Sequence, residues 1–131
     1  MTMTNRQGRR PSGSRGYAAV GVALALPLLF VVIFLAVQAG LWFFARSVCL
    51  AAAQEGARTS AARDASLQGG LDTASSFAGR VGSGMLTGIT VTGDRTGMST
   101  TVVVSGVSVR LVPFMDLQVT QSATLPVERL T

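Results

Sequence analysis

Apolar and polar positions divide the 131-residue chain into three regimes. Residues 17–45, YAAVGVALALPLLFVVIFLAVQAGLWFFA, carry no charge, and their only strongly polar side chain is Gln38. A helix of that length rises about 43 Å. That is more than the roughly 30 Å hydrocarbon layer of a bilayer, so the run is long enough to cross with tilt or to protrude. Tyr17 and Trp42 stand near its two ends, where amphipathic rings suit headgroup levels. Pro27 lies inside and removes one backbone donor, which predicts a kink near residues 23–27. Gly21 and Gly40 are small surfaces that another helix can approach closely. Gln38 calls for a protein partner, for instance on a neighbouring subunit, unless it is simply tolerated near the interface.

The second regime, residues 46–66, is rich in Ala and free of Pro, so the helix is expected to continue outward through it. Glu55 and Arg58 stand three apart and can pair weakly. Ala52, Gly56, Thr59 and Arg63 fall on one stripe. The small residues there permit close packing, but no large apolar face is evident. Gly69-Gly70 is expected to break the run. A short helix over about 71–80 follows, with Asp72 or Gln68 near its start, and GSGM at 82–85 reads as a joint.

The period then changes. Ile89 and Val91 alternate with Thr90 and Thr92. TTVVVS at 100–105 is strongly β-prone, and Val107, Val109 and Leu111 can extend that strand past Gly106 through a bulge. Gly93 to Gly97 is turn-rich, and Pro113 interrupts. Leu117 and Val119 alternate with Gln118 and Thr120. Three antiparallel strands are predicted, at about 87–93, 99–111 and 116–125. Such a sheet needs a cover on its apolar face, and the outward part of the long helix is the nearest candidate. The expected fold class is therefore α+β and membrane-anchored, with a long N-terminal transmembrane helix kinked at Pro27 and a small antiparallel sheet of about three strands. The chain divides into a disordered basic leader (1–16), the transmembrane helix (17–45), a helical extension and linker (46–85) and a β-domain (86–131).

Charge adds a direction. Of 11 Arg, four (Arg6, Arg9, Arg10 and Arg15) precede the apolar run without an acidic neighbour, and there is no Lys. The rest of the chain sets seven Arg against six acids and is nearly neutral. The high pI therefore describes a tail, whose excess positive charge favours the N-terminus inside and the β-domain outside the cytoplasmic membrane. No basic face for nucleic acid follows.

Catalytic chemistry finds little to work with. Histidine is absent, which removes the commonest general base and metal ligand. Cys49 is alone, so it offers an intermolecular disulfide, an acylated thiol or, more plainly, a small apolar residue on a helix. GSG at 82–84 lacks the Lys of a phosphate loop. Asp94 could ligate calcium by composition, although Asp and Gly are ordinary turn residues. No catalytic residue, metal site, cofactor or small-molecule substrate is expected, and an enzyme is not indicated.

From Arg15 the residues R-G-Y-A-A-V-G-V-A-L-A-L-P-L-L, followed by the apolar helix, resemble the N-terminal signature of TadE-like proteins. These are minor pilins or pseudopilins of tight-adherence (Flp) pilus assembly systems. The likeness continues through Ala53, Gly56, Ala57 and Arg58, and into the sheet-like tail ending in P-V-E. The resemblance implies a pilin-like fold, other Tad or pilus subunits as partners beside membrane lipid, and a prepilin peptidase acting on a short cytoplasmic leader. Carried over, Gly16 precedes the cut, Tyr17 becomes the new N-terminus, and Arg15 stays in the leader. The family pattern places a Glu five residues after the cut, and this chain has Gly21 there.

Three roles are thus open. One is a pilin-like structural or assembly component of a Tad-type pilus or secretion system. Another is an uncut single-pass accessory or binding module unrelated to pili. The third is a small secreted protein released by a cut near Ala51 and Ala53.

Overall fold

The computed structural model describes residues 13–129. The Arg6, Arg9 and Arg10 stretch, expected to be disordered, lies outside the described residues. Helix α1 runs Gly13–Ala61, helix α2 runs Leu67–Val81, and strands β1 (Leu86–Arg95), β2 (Ser99–Ser108) and β3 (Gln118–Pro126) follow. The chain is α+β: a long apolar N-terminal helix followed by a small antiparallel sheet. Two compact units divide it, residues 1–34 and residues 35–131.

In the first unit α1 is already helical at Gly13, earlier than the expected start at Tyr17. Once the apolar run nucleates a helix, each further residue adds one hydrogen bond at little cost, so the helix propagates back through Ser14 and Arg15. The helical assignment continues unbroken through Pro27.

In the second unit the three strands form one sheet in the order β1-β2-β3. On β2, Thr100, Val102, Val104, Gly106 and Ser108 are buried and the residues between them are half-buried. The register carries this alternation to the neighbours. Val104 lies opposite Val91 and Gln121, Val102 opposite Gly93 and Ala123, and Gly106 opposite Val119. The other face is lined largely by hydroxyls, among them Thr92, Thr101, Ser105 and Thr124, with Thr101 and Thr124 hydrogen-bonded at 2.8 Å.

The expected bulge is present, but on β1 instead of β2. The register shifts between Thr87 and Thr90, so Gly88 and Ile89 together oppose Gly106. Gly88 has φ +61, a conformation that suits glycine. The second strand ends at Ser108, short of the predicted Leu111.

The sheet's apolar face is covered by the outward part of α1, as expected, and also by α2. The core is built from Ala45, Val48, Cys49, Ala52, Ala53 and Ala57 of α1, Ala74 and Ala78 of α2, and Leu86, Val102, Val104 and Val119 of the sheet. No apolar face stood out in residues 46–61 because the face consists of small side chains. Small residues bury little area each, yet they bring backbones together. A Cβ built on Gly56 would stand 2.7 Å from the Gly70 carbonyl oxygen and 3.2 Å from Val102 Cγ1.

The break between the helices also differs from expectation. Gly69 and Gly70 lie within α2, whereas the chain turns at residues 62–66. Asp64 adopts φ 59, a left-handed conformation that Asp tolerates better than most residues. Ser66 then caps α2, its hydroxyl accepting from the Gly69 amide at 3.0 Å. Gly70 is needed for space: a Cβ there would meet the Gly56 carbonyl oxygen at 2.5 Å.

Candidate membrane anchor and assembly surface

Side chains change character along α1 between Gln38 and Ala45. From Tyr17 to Val37 every position is exposed, including Leu24 (70%), Phe30 (56%) and Val31 (53%). Gln38 is then 1% exposed, and from Ala45 onward buried positions recur at helical spacing. The segment Arg15–Ala61 is long and apolar enough to cross a membrane, and its most apolar window is unburied within the chain. Water does not tolerate so continuous an apolar surface, so hydrocarbon or other apolar helices must cover it. A single apolar helix of this kind near the N-terminus points to membrane anchoring.

The residues singled out from sequence fall into two groups. Gly16, Tyr17, Gly21 and Pro27 belong to the exposed segment. Gly16 and Tyr17 sit in the first turns of α1, where the opening amides lack intrahelical partners. A Cβ added at Gly16 or Gly21 would meet nothing within 4 Å, so both offer open backbone to an approaching helix. Pro27 leaves the carbonyl of Ala23 without its donor, and Val22, Ala25, Leu26, Leu28, Leu29 and Val32 line an apolar depression beside it. Gly40 is likewise open.

Gln38 behaves differently from either expectation. It is neither simply tolerated near the interface nor left for another subunit, because its partners are in its own chain. Its Nε2 donates to the Val109 carbonyl at 3.1 Å, and its Oε1 accepts from the Leu111 amide at 2.7 Å and from Val112 at 3.4 Å. One amide side chain thereby satisfies the backbone just beyond β2. Its donor and acceptor pair suits this task, since the free carbonyl and the free amides present opposite needs.

At the far end of the same helix a second set of contacts holds it to the sheet. Ser60 Oγ and Thr100 Oγ1 are 2.8 Å apart and buried. Arg95 Nε donates to the Ser60 carbonyl at 2.8 Å, and the Glu128 amide donates to the Ala61 carbonyl at 3.0 Å. These last-turn carbonyls have no intrahelical donor, and a cation there also complements the helix dipole. Sequence reasoning missed Arg95 and Ser60. The available signal was period: Arg95 shares a strand face with Val91 and Gly93.

Trp42 is half-buried against the core, edge-on to Phe43 at 5.2 Å, with the Arg46 guanidinium 5.8 Å from its ring. That is an amphipathic arrangement suited to a headgroup layer. Cys49 is fully buried, and burial pushes its thiol pKa up. Glu55 and Arg58 pair on the surface at 3.9 Å, a contact worth little. Asp94 is exposed on the hydroxyl-rich face of β1. Among the described residues no three Cys, Asp or Glu side chains group as metal ligands would.

The exposed N-terminal stretch and the small-residue stripe that follows it coincide with a family match. Residues 16–58 are TadE-like. The matching family is described as TadE-like protein, and the matched segment begins at Gly16 and ends at Arg58, three residues before α1 does. It thus takes in both the apolar anchor and most of the helix that packs on the sheet. No curated protein and no solved structure matches the chain.

Proposed function

We propose that the protein is a pilin-like minor subunit or pseudopilin, a structural or assembly component of a Tad-type pilus or secretion system without catalytic activity. Its N-terminus lies in the cytoplasm, its helix crosses the cytoplasmic membrane, and its sheet domain faces outward. The observation that carries this reading is the division of one helix into a bare apolar part, wholly exposed from Tyr17 to Val37, and a part built into a folded domain through Gln38 and then from Ala45 onward. Such a helix anchors the domain and leaves a side free for other Tad subunits. Lateral packing of apolar helices uses dispersion and close backbone approach, which the open surfaces at Gly21 and Gly40 favour.

In this reading a prepilin peptidase cuts between Gly16 and Tyr17. The cut bond lies in the first helical turns, which fray most readily. The mass of the protein purified from its native membrane tests the step. A mature chain beginning at Tyr17 is expected, and an intact leader excludes processing. Co-isolation with other Tad components tests assembly, and a protein recovered alone from gently solubilised membranes excludes it.

Gly21 favours a second reading. A Glu at this position would be costly in lipid unless a neighbouring subunit offset it. With Gly21 the helix resides in lipid alone at no such cost, which suits an uncut single-pass accessory subunit. The same mass measurement separates the two.

A further inference from the structure

The loop between β2 and β3 is apolar where loops are usually polar. Residues 109–117 read VRLVPFMDL. Phe114 is 97% exposed and Leu111 47%. Phe114 also holds φ 69, a left-handed conformation that a bulky residue seldom adopts. A strained backbone that presents a bare aromatic ring to its surroundings is a feature that calls for a function.

The position of the loop supplies one. Val109, Leu111 and Val112 are hydrogen-bonded to Gln38. Gln38 is the first buried residue of α1, and exposed apolar positions, Phe43 (58%) and Phe44 (40%), still lie within two turns beyond it. From Tyr17 to Val37 the helix rises about 32 Å, which fills a hydrocarbon layer of about 30 Å. The loop is therefore fastened to the helix near the outer end of its apolar run, which continues to Ala45. Trp42 and Arg46 stand one and two turns further out, an amphipathic pair of the kind found at headgroup depth. Arg110 and Asp116 close the base of the loop with a 2.8 Å ion pair, both more than half exposed, so the charges flank the apolar tip.

We propose that this loop is a second membrane contact, inserting Phe114 and Leu111 into the boundary between headgroups and acyl chains of the bilayer that α1 spans. The partner is the lipid surface itself. The Gln38 contacts hold the loop beside α1 at that residue. The inference rests on α1 being a transmembrane anchor.

The test uses the full chain in vesicles of phosphatidylethanolamine and phosphatidylglycerol, on a C49A background. Single nitroxide labels are placed at F114C and L111C, at V31C within the apolar run, and at S122C on the outer face of β3. Collision with oxygen, which concentrates in hydrocarbon, is compared with collision with a water-soluble nickel complex. The oxygen-to-nickel ratio at F114C and L111C is expected to exceed that at S122C several-fold and to approach that at V31C. Ratios like that of S122C, with V31C still in hydrocarbon, overturn the loop contact and leave the anchor standing. A water-exposed V31C overturns the anchor and the loop contact together. Protection of F114C that disappears when the chain is diluted in lipid assigns the loop to a second copy and also overturns the proposal.

Discussion

Gln38 and Leu111 are 73 residues apart in sequence and are joined by a 2.7 Å hydrogen bond in which the Leu111 amide donates to the Gln38 side-chain oxygen. The bond ties the β2–β3 loop to the first buried residue of α1. It also explains a polar side chain in an otherwise apolar run. Gln38 is the largest side chain that is fully buried in the described residues, and it is buried against backbone.

Replacing Gln38 with Leu keeps the volume and removes both functions of the amide. The Leu111 amide loses its partner, while the Val109 carbonyl keeps only the Ser108 hydroxyl at 3.3 Å, and an amide left buried without a partner costs about 1–3 kcal/mol. Hydrogen exchange in detergent micelles checks this. The Leu111 amide is expected to exchange faster in Q38L, while amides in the middle of β2 such as Val103 keep their protection.

Gly56 and Gly70 face each other across the contact between α1 and α2, where a Cβ on either would lie within 2.7 Å of the other's carbonyl oxygen. G56A and G70A are each expected to destabilise the fold by about 1–3 kcal/mol, since the backbones must separate. Gly79 is the control, because a Cβ there meets nothing within 4 Å. G79A is expected to stabilise α2 by about 0.5–1 kcal/mol through helix propensity alone. Thermal unfolding of the three variants, read by circular dichroism, gives the signs.

The hydroxyl pair Ser60–Thr100 spans α1 and β2 at 2.8 Å, and Ser60 also donates toward the Ala57 carbonyl at 3.2 Å. T100V removes one hydroxyl with little change in shape. A double-mutant cycle with S60A is expected to show a coupling of about 0.5–1.5 kcal/mol. Independent, additive effects in denaturant titrations would show that the pair contributes nothing of its own.

Cys49 is buried among Ala and Val, and its thiol titrates above the usual 9.0 because the thiolate is poorly solvated there. Iodoacetamide is expected to modify it only on unfolding, so alkylation in the native protein should be far slower than in denaturant. The stability it contributes is fully present below pH 9. That contribution is lost as pH rises further, since the unfolded chain then ionises a thiol that the folded chain keeps protonated. C49A should show a smaller loss of stability between pH 8.5 and 10 than the parent chain.

Hydropathy and period alone determined the large features of this protein. The uncharged run between Arg15 and Arg46 was legible as a helix of membrane length, because transfer energies add over residues and need no knowledge of neighbours. The alternation from Ile89 onward likewise specified three strands and which of their faces is apolar, since side-chain direction in a strand follows from parity. Tertiary structure decided what the small and polar residues do. Gly70 was legible as a helix breaker and is instead the point of closest approach to α1. The stripe of Ala and Gly in residues 45–57 was too slight to register as a face and is the core. Gln38 had a need but no visible partner, and Arg95 looked like a turn residue. Each of these roles depends on a group far away in sequence. Hydrogen bonds and close packing act within a few ångströms, and only the folded chain brings those groups within range.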